Sequence, residues 1–184
     1  DSDGVPDAEE EAGPNGGDAN ADNILDALQP NVISYMNPVS GNYAVLATDC
    51  ESIAGFQVGS ESNDKADSNY NYPAGLVSFH ITCENPGDTA TISQYYYGIN
   101  GNNSYSVRKW MNDGSYREVP GYQLLGTPIN GEIVFTVRYQ IIDGGVFDDD
   151  SVADGVVRDP SGIAQVKVAQ QSITNTTSLA STGK

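Results

Sequence analysis

The chain has 184 residues and carries 25 acidic against 8 basic side chains, a formal net charge of −17. Phosphate binding needs clustered Lys or Arg, so nucleic acids and anionic membrane surfaces are poor partners and cations are good ones. The length suits a short leader plus one domain of roughly 150 residues with its own core, and no apolar run reaches the ~20 residues that span a bilayer.

Residues 1–29 carry one and a half copies of a calcium-loop pattern. In Asp18-Ala-Asn20-Ala-Asp22-Asn-Ile-Leu-Asp26-Ala-Leu-Gln29, oxygen-bearing side chains fall at loop positions 1, 3, 5, 9 and 12, the spacing of an EF-hand-type cage. Ahead of it, Asp1, Asp3, Gly4, Asp7 and Glu10 fit positions 3, 5, 6, 9 and 12, as expected of a chain that starts inside a motif. Ca²⁺ takes six to eight hard oxygen ligands, and alternate residues of a tight loop can supply them together. Position 6 needs a left-handed turn, provided by Gly4 and, in the second copy, by Asn23. Gln29 replaces the usual bidentate Glu, so the second site is expected to be weaker, or completed by the first. The competing reading is a self-repelling acidic leader, with nine acids and no Lys or Arg in residues 1–26. We favour Ca²⁺, because two copies stand in register. The Asp-x-Asp-Gly-x-x-Asp grammar resembles a thrombospondin type 3 repeat, which implies a calcium-wrapped spacer rather than a catalyst.

After Pro30 the hydrophobic period becomes two. Strands are expected over 32–36, 42–48, 52–58, 75–83, 89–97, 104–111, 115–119, 132–142 and about 162–169, with a polar loop from Gly59 to Pro73. Asn37-Pro-Val-Ser-Gly41, Glu84-Asn-Pro-Gly-Asp88 and Asn112-Asp-Gly114 mark turns. Strands this short, separated by turns, predict an all-β, antiparallel two-sheet sandwich of jelly-roll or Ig-like type. Cys50 and Cys83 are the two cysteines, and an oxidised pair is expected, with Cys83 pointing inward beside Val77, Phe79 and Ile81. The expected organisation is a calcium-binding leader (1–30), a sandwich (31–169) and a C-terminal tail (170–184).

The body resembles the bacterial surface-protein module known as a choice-of-anchor domain, U type. The residues that carry the resemblance are Tyr72-Pro-Ala-Gly-Leu-Val-Ser-Phe79, Pro86-Gly-Asp-Thr-Ala-Thr-Ile92, Asp143-Gly-Gly-Val-Phe-Asp148 and Asp154-Gly-Val-Val-Arg-Asp-Pro160. That family places a calcium-type repeat before its sandwich and has no generally established activity. The resemblance covers most of residues 1–164 and implies a secreted, surface-located structural role.

Several constellations remain. Asp143, Asp148, Asp149, Asp150, Asp154 and Asp159 lie close in sequence with one base, Arg158. A second calcium site using Asp148, Asp150 and Asp154 and a solvated acidic loop tip are equally open readings. Glycoside hydrolysis by paired carboxylates is disfavoured. The lone histidine, His80, falls on an outward strand face without a Gly-x-Ser-x-Gly elbow, so no enzyme is expected. Tyr70, Tyr72, Tyr95, Tyr97 and Trp110 could make a sugar-stacking platform or a protein interface, although ordinary strand propensity is the favoured explanation of the tyrosines. Leu179-Ala-Ser-Thr-Gly183 resembles a class E sortase motif that would be cut after Thr182. No signal peptide is recognised, which suits a processed or trimmed chain as well as a cytosolic one. The expectation is a calcium-stabilised extracellular module of a microbial cell surface: a stalk, adhesin or self-assembling fibre subunit. Its partners would be copies of itself or neighbouring surface domains, with no membrane insertion. A carbohydrate-binding module with structural calcium is the alternative.

Overall fold

The computed structural model describes residues 3–61 and 66–167. The leader forms a short helix α1 (Asp7–Glu11), a kinked turn α2 (Pro14–Gly17) and a 3-10 turn (Asp26–Leu28). Eleven strands follow among the described residues: β1 (Val32–Met36), β2 (Tyr43–Thr48), β3 (Ser52–Gly59), β4 (Tyr70–Asn71), β5 (Leu76–Thr82), β6 (Thr89–Tyr96), β7 (Ser106–Trp110), β8 (Tyr116–Glu118), β9 (Gln123–Ile129), β10 (Glu132–Ile142) and β11 (Val156–Val166). Two antiparallel sheets face one another, in the orders β1-β2-β6-β10-β9 and β3-β5-β11-β7-β8, with β4 alongside β11. The all-β sandwich read from the sequence is the observed fold.

Alternation fixes the core. Phe135, Val137, Tyr139 and Ile141 of β10 face inward with Ala90, Ile92 and Tyr96 of β6, against Val77, Phe79 and Ile81 of β5 and Val157 and Ile163 of β11. Tyr95 and Tyr97 fall on the opposite face of their strand, as alternation predicts, and pack with Val32, Val45 and Ala19. Cys50 and Cys83 form the expected disulfide, with Cys83 buried in the core. It ties the connection between β2 and β3, where the chain passes from one sheet to the other, to the end of β5. His80 is exposed, on the outward face of β5.

Three strand expectations need correction. Gln123–Ile129 is a strand that the sequence pattern did not reveal. As an exposed edge strand containing Gly126 and Pro128, it shows no alternation, and Pro is tolerated only where ladder bonds are not required on both sides. Tyr70–Asn71 forms a two-residue strand inside the expected loop. The last strand begins at Val156 rather than near 162 and runs through Pro160. It pairs with β5 over 156–161 and with β7 over 161–164, so Pro160 sits at the changeover. Gly162 is required there, since a Cβ would come 2.4 Å from the Gly75 carbonyl oxygen.

The leader lies on the sandwich as a third layer. Val5 packs against the main core, and Ala19 is fully buried on the outer face of the first sheet. The Tyr97 hydroxyl donates to the Ala19 carbonyl at 2.7 Å, and the Tyr43 hydroxyl to the Glu9 carbonyl at 2.9 Å. Strand β1 is an edge strand, and α1 covers its free donors. The Ser34 N–H donates to Glu10 Oε1 at 3.1 Å, and the Met36 N–H to Glu9 Oε1 at 2.9 Å. Two acids of the leader thus blunt an edge that would otherwise template another strand.

Candidate metal centre

The position-6 residues of the two copies share a backbone conformation. Asn23 adopts φ +74° and Gly4 φ +117°, so both position-6 residues take the left-handed turn. Asp18 Oδ1 and Asn20 Oδ1 both accept the Asp22 N–H, at 3.0 and 3.1 Å, and Asp18 Oδ2 accepts the Asn23 N–H. Asp22 Oδ1 accepts the Ile24 N–H and, at 3.2 Å, the Gln29 amide. Positions 1, 3 and 5 therefore gather on one turn, with the buried Gln29 of position 12 reaching it from below. Gln29 donates here instead of accepting, as an amide can and a carboxylate cannot.

Asp26, at position 9, is turned inward. Its carboxyl is fully buried; Oδ2 accepts the Ala19 N–H at 3.0 Å, while Oδ1 makes no hydrogen bond of good geometry, the nearby Ser34 hydroxyl being equally unsatisfied. Glu10, at position 12 of the partial copy, is equally buried, and its Oε2 is likewise orphaned. Buried polar atoms are almost always hydrogen-bonded, so two orphaned carboxylate oxygens need a cause. Burial pushes the Glu10 carboxyl up to about 7, opposed by the Ser34 N–H and reinforced by the negative charges of Asp3, Asp26 and Asp7. Burial pushes Asp26 up to about 6, opposed by the Ser34 hydroxyl and the Ala19 N–H, with Asp18 and Asp22 adding repulsion. Asp3 is buried too and is raised by that burial, against the Val5 N–H bond at 2.9 Å. Asp7 is exposed at the start of α1 and acts on both Asp3 and Glu10.

The two half-patterns thus converge. Glu10 of the first copy feels the charges of Asp3, Asp7 and Asp26, while Asp18 and Asp22 act on Asp26. Among the described residues no three Asp, Glu, His or Cys side chains meet at ligand distance around one point; their oxygens take backbone N–H groups instead. The donor set nevertheless fits a hard divalent cation, because it consists of carboxylate and amide oxygens with two buried, orphaned atoms and no base in residues 1–26. Asp1 and Thr182 lie outside the described residues, as does the tail 170–184.

The acidic loop at 143–159 is built differently. Burial would raise the Asp143 carboxyl, but the N–H groups of Gly87, Gly155 and Asp154 outweigh it and hold the group below its ordinary value. Asp148 is buried and raised by that burial, although it accepts the Arg158 and Gly144 N–H groups at 2.9 and 2.8 Å. The Arg158 guanidinium reaches both Asp150 and Asp154. Asp150 and Asp154 are therefore brought together around a cation the chain itself supplies, while Asp148 is held by backbone N–H groups.

The aromatics divide between layers. Tyr96 is core, and Tyr97 anchors the leader. Trp110 and Tyr116 pack edge to face at 4.9 Å on the outer face of the second sheet, and Arg108 stacks over the Tyr70 ring at 4.0 Å. Glu9, Ser34 and Tyr97 were not visible as site residues in the sequence, because their roles depend on which strand edge the leader meets. Comparison with family models, curated proteins and solved structures finds no match to this chain.

Proposed function

We propose that this chain is a calcium-stabilised structural module of a microbial cell surface, serving outside the cell in a stalk, an adhesin or a self-assembling fibre. The observation that carries the reading is the buried Glu10–Asp26 pair, in which each carboxyl has an orphaned oxygen inside a leader without basic residues. Bound Ca²⁺ would supply the positive charge this cluster lacks. Asp3, Asp7, Glu10 and Asp26 would hold the inner position, and Asp18, Asn20 and Asp22 the outer loop. Glu10 then links the metal centre to the sheet, since its other oxygen holds the Ser34 N–H of β1. Fixing Glu10 fixes the leader on the sandwich and keeps the edge of β1 closed. The disulfide suits an oxidising compartment outside the cell. Membership of the choice-of-anchor class, partnership with further copies or neighbouring surface domains, and the absence of catalysis belong to the same proposal.

Calorimetric titration of Ca²⁺ into chelator-stripped protein tests it. Binding is expected in the wild type and is weakened at least about tenfold in Glu10→Gln and Asp26→Asn, as loss of a charged hard ligand implies. Absence of binding in the wild type would remove the metal from the account. Particle size measured with and without Ca²⁺ tests assembly separately.

A carbohydrate-binding role is favoured by one observation. Trp110 and Tyr116 border a shallow groove with Gln57, Ser78 and Pro160, aligned across β7, β8, β3, β5 and β11. Aromatic faces beside amide and hydroxyl groups suit stacking on neutral sugars. A glycan screen comparing the wild type with Trp110→Ala separates this reading from the structural one.

A further inference from the structure

A second buried polar cluster lies between the two sheets and takes no part in the leader site. Lys109 of β7 and Asp159 of β11 have side chains with no solvent exposure, and Nζ lies 2.8 Å from Oδ1. Nζ also donates to the Arg158 carbonyl at 3.1 Å. The second carboxyl oxygen, Oδ2, stands 2.9 Å from the Tyr139 hydroxyl of the facing sheet and 2.8 Å from the Ser161 hydroxyl. Those two hydroxyls are themselves 2.7 Å apart. Tyr139 further accepts the Gln94 amide at 2.9 Å, and the Gln94 carbonyl accepts the Tyr96 hydroxyl. Around this chain of contacts stand Phe79, Val107, Val137, Val157 and Ile163 of the core.

The proton count is informative. Tyr139, Ser161 and Oδ2 make three mutual oxygen–oxygen contacts, yet the two hydroxyls supply only two protons. Directed at Oδ2, both leave Oδ1 facing Nζ. Transfer of an ammonium proton along that contact to Oδ1 leaves an amine beside a carboxyl from which water is excluded. A neutral amine held against a neutral carboxyl, with water excluded, is the reactant pair of amide formation, and the fold already meets the cost of bringing the two together.

We propose that Lys109 and Asp159 are joined by a side-chain amide, a covalent clasp between β7 and β11 at the centre of the sandwich. The Nζ lone pair adds to Cγ, while the Tyr139 and Ser161 hydroxyls hold the negative charge that develops on Oδ2. A C–N bond forms and the bond from Cγ to Oδ1 breaks. Oδ1 departs as water with two protons that the former ammonium surrendered. Ion pair and product are both neutral overall, so no oxidant, cofactor or further reactant is needed. The clasp stands independently of the calcium reading and would give the module a second covalent brace beside the disulfide.

Two measurements on the full chain decide it. In a reduced tryptic digest, the segment 109–117 is expected to emerge joined to the segment 159–167, at a mass one water below their sum. Recovery of the segment 110–117, cut after an unmodified Lys109, together with 159–167 at its full mass would overturn the proposal. The second readout uses the Asp159–Pro160 bond, the single Asp–Pro sequence in the chain. Dilute-acid cleavage at Asp–Pro depends on a free aspartate carboxyl, so the wild type is expected to resist it, while Lys109→Arg, which keeps the charge but cannot form the amide, is cut in two. Cutting of the wild type to the same extent would equally overturn the clasp. Both wild-type readouts stand even if the variant does not fold.

Discussion

At the scale of single residues, the chain places two carboxylates where ordinary packing would not tolerate them. Glu10 and Asp26 are buried with an orphaned oxygen apiece, and burial, followed by repulsion from neighbouring carboxylates, raises them to about 7 and about 6 from 4.5 and 3.8. An acid whose folded value is raised destabilises the fold wherever it is charged. The penalty is absent below the unfolded value, grows between the two values and is complete above the folded one. In chelator, the melting temperature is therefore expected to rise as pH falls from 8 toward 5, with most of the change between about 7 and 5. With Ca²⁺ present the trend is expected to reverse, because protons then compete with the metal for the same oxygens. Glu10→Gln keeps an oxygen for the Ser34 N–H and removes the charge. It is expected to stabilise the chelated protein at pH 8 by about 1–3 kcal/mol and to blunt its response to Ca²⁺. Melting curves of both proteins across that pH range check the sign. A chelated wild type that loses stability steadily from pH 8 to 5 would contradict it.

At the scale of elements, two ties hold the layers. The disulfide closes a separation of 33 residues, and Cys50→Ala with Cys83→Ala is expected to cost about 3–4 kcal/mol by loop-closure entropy, measurable by denaturant unfolding. Tyr97→Phe removes the hydroxyl that holds the Ala19 carbonyl. It is expected to cost about 1 kcal/mol and to speed proteolysis within residues 13–30 more than global unfolding does. The sequence made the inner strands legible because one face of each is buried, and a period of two then shows directly. It did not reveal β9, whose exposed edge position removes the alternation, and it began β11 late, past Pro160, although that residue sits at a change of partners. In the leader, spacing located the left-handed turns at Gly4 and Asn23. That Glu10 of one copy meets Asp26 of the other depends on how both dock on β1, a long-range fact with no local signature. The Lys109–Asp159 pair was invisible for the same reason, since a lone lysine in an alternating strand does not declare which face it occupies.

At the scale of the whole molecule, the leader is a layer rather than a tether. It buries Val5 and Ala19 against the sandwich and closes the β1 edge with Glu9 and Glu10. An acidic segment without a base nevertheless gains little by docking on a protein of net charge −17, and a cation reconciles the packing with the charge. The most direct measurement is the melting temperature of the intact chain in millimolar Ca²⁺ and again in excess chelator, at fixed pH and ionic strength. Saturating Ca²⁺ is expected to raise it by on the order of 5–10 °C, the shift that ligand at roughly a hundred times its dissociation constant gives a domain of this size, and Glu10→Gln to lose most of that rise. Identical melting in the two conditions would contradict the account, leaving the leader an acidic strap held by packing alone.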